Sequence, residues 1–411
     1  MSRRHCFGPT FADKTILLIT PKTKGFNMSV SSFSAMELFD WLCDPAKIDF
    51  LLLDVRNQEE FGRFKIEGPF DFEMLNVPYM EFIEHEKESV ARVPKRHKIR
   101  VVCAKEGSSR FVAEILENHG YSDLANLQVG IKAWGNLLAP IKVAETDTYG
   151  LYQFRRPGKA SCSYGLTCGK EMMVFDPAKN IAAYQTFADE RGLAITKTVE
   201  THRQADYISG SPALNKATGA EIIAPTADFQ EARFRYTPAV DGEPIPFSQA
   251  GPAVRIVHTP GHTPGSTSYL IDNQYLITGD TVFIFSIGRP DLGGMAEAWS
   301  KMLFDTVRNK ILTLDDATVI LPGHYMDWKE ANDDLIFAET IGKIKKINQQ
   351  IYSIDTEALF YQYIKANMRK QPEEYAKIRQ INAGLIEVDP EEQDIMDLGK
   401  NECAASAMAH G

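Results

Sequence analysis

Imidazoles and carboxylates suited to holding a metal are spread through the second half of this chain. His202 and Asp206 lie in Thr201-His202-Arg203-Gln204-Ala205-Asp206-Tyr207, and His262 closes His258-Thr259-Pro260-Gly261-His262. Asp280 follows Gly279, and His324 follows Pro322-Gly323. Neutral imidazole nitrogens and carboxylate oxygens are common ligands of divalent metals. A second chemistry is written in the first half, where Cys103 ends the apolar run from Ile99 and precedes Ala104-Lys105-Glu106-Gly107-Ser108-Ser109-Arg110. Loop N–H groups and a helix N-terminus aimed at that sulfur would stabilise its thiolate. The expected result is a lowered pKa and a nucleophile or carrier of transferable sulfur, with Arg110 and Lys105 adding positive charge.

These groups need elements to position them. Residues 34–44 space apolar side chains at helical intervals, and 50–55 and 99–103 read as buried strands. Phe111, Val112, Ile115 and Leu116 then open a helix, so the alternation predicts a parallel α/β sheet. Residues 135–150 have the composition of a connection. Beyond them, 172–177 reads as strand and turn, 183–192 as a helix, and 194–200 as a strand running into the His202 loop. Later strands are predicted at 254–257, 268–271, 275–277 and 318–321. Past residue 332 the pattern is helical, including 339–349 and 372–382, with a polar tail from about Asp389.

A length of 411 residues suffices for two or three domains. Hydrophobic content of 44% and charged content of 24% belong to the soluble globular class. A net charge of −10 argues against a nucleic-acid or anionic-membrane partner. No apolar run approaches the roughly 20 residues of a membrane-spanning helix. The six cysteines (6, 43, 103, 162, 168 and 403) form no disulfide framework and fit a reducing compartment. Cys162 and Cys168 would share one face of a strand, and they read as small buried residues rather than a redox pair. Residues 1–27 read as an extension lacking a signal-peptide core, with Met28 as an alternative start, and the expected location is cytoplasmic.

The segment Cys103 to Arg110, with Asp54-Val55-Arg56, Glu60-Phe61 and Gly130-Ile131-Lys132-Ala133-Trp134, resembles the rhodanese family. The resemblance covers about residues 30–137 and implies a sulfurtransferase fold that carries sulfur as a persulfide of Cys103. It departs from the family at Lys65-Ile66-Glu67-Gly68-Pro69, where G-H-I-x-G-A is usual. The alternatives are a packing domain with an inert Cys103, or a phosphatase-type loop.

The five later positions, in their chain order, resemble the metallo-β-lactamase superfamily over about residues 150–330. That resemblance implies an αββα sandwich with the site on loops at one edge. In the family one metal takes both His of H-x-H and the later His, here His202, Gln204 and His262. The other takes the Asp and final His of the first motif and the late His, here Asp206, Tyr207 and His324, with Asp280 as the bridging carboxylate. Each half has lost one imidazole. Gln offers a neutral oxygen and Tyr a phenol of pKa about 10, both poor zinc ligands. What survives is His202, His262 and Asp280, the two-imidazole, one-carboxylate set associated with Fe(II) that activates O₂.

Those three positions hold iron in the persulfide dioxygenase branch of the superfamily. Gly288-Arg289-Pro290-Asp291 resembles its G-R-x-D segment, which implies that Arg289 faces a thiol substrate and pairs with its carboxylate. Tyr325 would line the same pocket, and Asp206 and His324 would handle protons. The sequence therefore leads us to expect a 1–27 extension, a rhodanese-like parallel α/β domain (28–145), a metallo-β-lactamase αββα sandwich (150–332), and a helical extension and tail (333–411). The expected activity is O₂-dependent oxidation of glutathione persulfide, or a related small persulfide, to sulfite at Fe(II), in a homo-oligomer. Two alternatives stand beside it: a zinc hydrolase acting on a thioester-type substrate, and a non-catalytic sulfur-binding scaffold.

Overall fold

The computed structural model describes residues 30–405 apart from 96, 97, 292 and 369. The proposed extension, the Met28 start and Cys6 lie outside the described residues. The first sheet is parallel throughout, in the order Ser31–Phe33, Leu124–Leu127, Ile99–Val102, Leu51–Asp54, Glu73–Asn76. Leu51–Asp54 is buried along its whole length, as its unbroken apolar run requires of a central strand. Helix Ala35–Leu42 begins at a capping box of Ser34 and Glu37 and buries Leu38, Phe39 and Leu42 against this sheet. At the strand end, Asp54 and Arg56 form a buried bidentate ion pair (2.6 Å), and Arg56 also donates to the Phe64 carbonyl.

Two further sheets pack face to face. One has seven strands, ordered Thr237–Pro238, Glu221–Ala224, Ala194–Val199, Glu171–Phe175, Ser161–Cys168, Tyr149–Arg156, Ala139–Glu145. The other has five: Val254–His258, Thr267–Ile271, Tyr275–Gly279, Val319–Pro322, Glu339–Thr340. Leu166, Phe175, Tyr269 and Ile277 belong to the core between them. Helix Ile181–Asp189 covers the outer face of the first through Tyr184 and Phe187. Helices Ala296–Thr306 and Glu357–Asn367 cover the second through Leu303, Phe360 and Ile364. The result is the layered αββα sandwich, with helices continuing after it.

Two boundaries differ from the sequence reading. Residues 139–145 are not a connection but an edge strand of the seven-stranded sheet, antiparallel to Tyr149–Arg156. The rhodanese-like unit therefore ends before Ala139. The described part of the tail, to Ala405, is built into the fold: Asp389 caps helix Pro390–Met396, Asp397 pairs with buried Arg156 at 2.8 Å, and Ala404–Ala405 adds to Ile287–Gly288 as a two-stranded sheet. The units meet through Phe39 against Trp328 (5.9 Å) and Arg156 Nε donating to the Gly135 carbonyl (2.8 Å). No described helix is long and apolar enough to cross a membrane.

Candidate metal centre

Four loops, each leaving a strand end, bring His202, His262, Asp280 and His324 together. Glycine is required at two of these bends. A Cβ on Gly279, whose φ is +50°, would sit 2.3 Å from Thr201 Oγ1, and one on Gly323 would sit 2.7 Å from Asp280 Oδ1. Asp228, which sequence reasoning missed, ties the His202 loop to the His262 loop. It accepts from the Arg203 N–H (3.0 Å), the Thr263 hydroxyl (2.6 Å) and the Gly265 N–H (2.8 Å). Asn382, also missed, clamps the outer side of the first loop by donating to the carbonyls of Gln204 and Tyr207 and accepting from the Ser209 N–H.

The hydrogen bonds fix which nitrogen each histidine presents. The Thr201 hydroxyl donates to Asp176 (2.8 Å), so its oxygen accepts from His202 Nδ1 (2.9 Å), leaving Nε2 as the bare lone pair. His262 Nδ1 donates to the Arg289 carbonyl (2.8 Å), leaving its Nε2 bare in the same way. Those two nitrogens lie 3.7 and 3.4 Å from Asp280 Oδ2. All three atoms are buried without a hydrogen-bond partner. Buried polar atoms are normally paired, so three convergent orphans of this donor set fit a divalent metal. Burial pushes His262 down to about 4, which keeps its ring neutral as a ligand must be.

Asp206 and His324 join from the other side. His324 is held between two carboxylates, Nδ1 to Asp280 Oδ1 at 2.7 Å and Nε2 to Asp206 Oδ2 at 2.9 Å. Burial works against its charge, but the two carboxylates outweigh it and push its pKa up to about 10. Burial alone would raise Asp280, yet His324, His202 and His262 hold it below the usual carboxylate range. Gln204 approaches His202 at Nδ1 (3.4 Å), opposite the nitrogen that faces Asp280, and the Tyr207 hydroxyl turns to the Asp176 carbonyl (3.3 Å). The Tyr207 hydroxyl is thus engaged away from the His202, His262, Asp280 cluster, while Gln204 Oε1 is buried without a hydrogen-bond partner.

The C-terminal tail closes this site, a feature its polar composition concealed. Cys403 is buried, and its sulfur groups with Asp206 and His324. Arg289 is part of this closure rather than a residue presented to substrate. It is 1% exposed, its Nε and Nη2 donate to Asp291 (2.6 and 2.7 Å), and its Nη1 donates to the Glu402 carbonyl (3.1 Å). Tyr325 likewise does not line the site: its ring stacks on Phe337 at 3.6 Å and packs against Trp328 in the core. A cleft of about 610 Å³ between the units reaches Lys159 and Glu402, which adjoin Asp206 and Cys403, and is walled by Arg63, Lys65 and Tyr375.

Cys103 lies in the other unit, at the mouth of Ile99–Val102, with helix Glu106–Asn118 starting three residues later. The expected lowering of its pKa is reversed. Burial pushes the thiol up and outweighs the N–H groups of Lys105 and Ala104 and the Ser108 hydroxyl that favour the thiolate. Arg110 points to Glu106 (2.6 Å) and Lys105 to Glu391 (3.3 Å). Cys162 and Cys168 are free buried residues of one strand.

Known proteins match the chain in two separate parts. A model of the rhodanese-like domain matches residues 37–137, and one of the metallo-beta-lactamase superfamily matches 176–337. A hydroxyacylglutathione hydrolase of Rhodospirillum rubrum is 31% identical over 38% of this chain and 56% of its own length. Persulfide dioxygenase ETHE1 of Bos taurus is 29% identical over 40% of this chain and 64% of its own. The crystal structure of a metallo-beta-lactamase from Staphylococcus aureus is 29% identical, with a TM-score of 0.53 covering 59% of this chain and 74% of that one. The chain joins a rhodanese-like domain to a domain of the metallo-β-lactamase superfamily.

Proposed function

We propose that this protein oxidises a small thiol persulfide with O₂ at a single Fe(II) held by His202, His262 and Asp280. The observation that carries this reading is the convergence of two bare imidazole nitrogens and one carboxylate oxygen, with the Tyr207 hydroxyl turned to the Asp176 carbonyl. Two imidazoles and one carboxylate leave three positions open on Fe(II), which supplies O₂ activation when bound. The protein's own part is to orient the ligands through Thr201, the Arg289 carbonyl and Asp228, and to hold a proton on His324 Nδ1 against Asp280. The overall reaction is RSSH + O₂ + H₂O → RSH + SO₃²⁻ + 2 H⁺. The cleft beside Lys159 carries both signs of charge (Arg63, Lys65, Glu67, Glu374), which suits a zwitterionic thiol such as glutathione. Cys103 would carry sulfane sulfur in the attached domain.

A second reading, hydrolysis of a thioester at zinc, is favoured by the retention of Asp206 and His324 beside Asp280. Metal analysis of protein purified without added metal, followed by O₂ uptake with glutathione persulfide, separates the two. Bound iron, O₂ consumption and sulfite are expected. Zinc with thioester hydrolysis would favour the second reading, and no O₂ uptake after Fe(II) loading would end the first.

A further inference from the structure

Tyr207 stands where a second imidazole belongs, and its hydroxyl has turned away to Asp176. The structure fills that gap from a part of the chain 196 residues later. Cys403 Sγ, an Asp206 carboxylate oxygen and a His324 ring nitrogen lie within 4.8 Å of one another, all three residues buried. We propose that Asp206, His324 and Cys403 form a second metal site, for a thiolate-binding divalent cation of the zinc type that displaces the thiol proton of Cys403 and the proton His324 Nε2 shares with Asp206, the sulfur ligand being delivered by the C-terminal tail.

Three observations carry it. The set is one sulfur, one nitrogen and one oxygen, which zinc accepts and which hard cations do not. Asp206 Oδ1 is buried and has no hydrogen-bond partner, so the carboxylate keeps a lone pair for a ligand. The tail is also aimed rather than draped. Ala404–Ala405 pairs with Ile287–Gly288, the Arg289 N–H donates to the Cys403 carbonyl (2.9 Å), and the Ser286 hydroxyl donates to the Ala405 carbonyl (2.7 Å). Asn401, two residues earlier, donates to the Ala160 carbonyl (3.0 Å) and accepts from the Cys403 N–H (3.2 Å). Cys403 does not group with His202 and His262, so it is a poor candidate for completing the first site. A cation held this way would also fasten the tail over the centre. The inference rests on the metal-centre reading of the fold and not on dioxygenase activity.

Full-length protein stripped by a chelator and reloaded with zinc tests it without a turnover assay. Two zinc ions per chain are expected, with a Zn–S shell near ~2.3 Å in zinc X-ray absorption. Cobalt loading should give thiolate-to-metal charge transfer in the near ultraviolet. Cys403→Ser should lose the sulfur shell, the charge transfer and one of the two ions, while Cys103→Ser keeps all three. Zinc bound in the wild type with only nitrogen and oxygen neighbours would overturn the site, and so would sulfur signals that persist in Cys403→Ser. The wild-type spectra decide even where the variant fails to fold. Failure of O₂ uptake after Fe(II) loading, with the sulfur shell of the zinc-loaded protein intact, would sink the proposed oxidation and leave this site standing.

Discussion

The metal centre and the Cys103 loop both lie past the ends of sheet strands, yet they treat buried polar groups in opposite ways. At the metal centre, His202 Nε2, His262 Nε2 and Asp280 Oδ2 are aimed at one another and left unpaired. Each such atom costs about 1–3 kcal/mol when nothing binds it. Around Cys103 the needs are met internally: Lys105, Ala104 and Ser108 face the sulfur, Arg110 takes Glu106, and Glu106 accepts the Val129 N–H. The first arrangement waits for a ligand. The second is a resting thiol, and burial pushes that thiol toward its neutral form.

The sharpest way to break this contrast is His262→Ala. Removing one of three ligands should take the metal of this site and any O₂ uptake to background, leaving only an ion on the Asp206, His324 and Cys403 group, while cyanide-dependent thiocyanate release at Cys103 stays unchanged. Metal retained at full stoichiometry in that variant would mean that the orphaned atoms do not define the site. A smaller effect is expected from Thr201→Val, which keeps the side chain's shape and removes the oxygen that His202 Nδ1 donates to. Loss of such an orienting partner weakens metal binding by roughly 10–100-fold, measurable by chelator competition. Unchanged affinity would assign the orientation of His202 to packing alone.

How much of this was legible follows from where each signal resides. Buried strands announce themselves as local apolar runs, so 50–55, 99–103 and 194–200 were readable, as were His202, His262, Asp280 and His324 by order and spacing. The strand Ala139–Glu145 was read as a connection because it is a half-exposed edge strand carrying Pro140 and charged residues. Asp228, Asn382 and Cys403 were invisible for a different reason. Their partners lie 25 to nearly 200 residues away, and long-range hydrogen bonds leave no period in a sequence. The Cys103 loop gave the right donors and the wrong direction of shift, since sequence shows which N–H groups follow a cysteine but not how deeply its sulfur is buried.

The smallest predicted effect tests the other half of the contrast. Arg110 is half exposed and pairs with Glu106 four residues earlier on the same helix. Such exposed pairs contribute only about 0.3–0.5 kcal/mol, a factor of about two in an equilibrium. Arg110→Ala should therefore lower stability by that amount and change thiocyanate release from thiosulfate by no more than about two-fold. Alkylation of Cys103, with Cys103→Ser as the blank, should climb through the alkaline range with no plateau near neutrality in both proteins. The sign follows from the raised thiol, which stays protonated at neutral pH and gains thiolate only as pH rises. A ten-fold fall in transfer with Arg110→Ala would mean that the guanidinium leaves Glu106 for the sulfur during turnover. The Cys103 loop would then be as unfinished as the metal centre, completed by its substrate rather than by its own side chains.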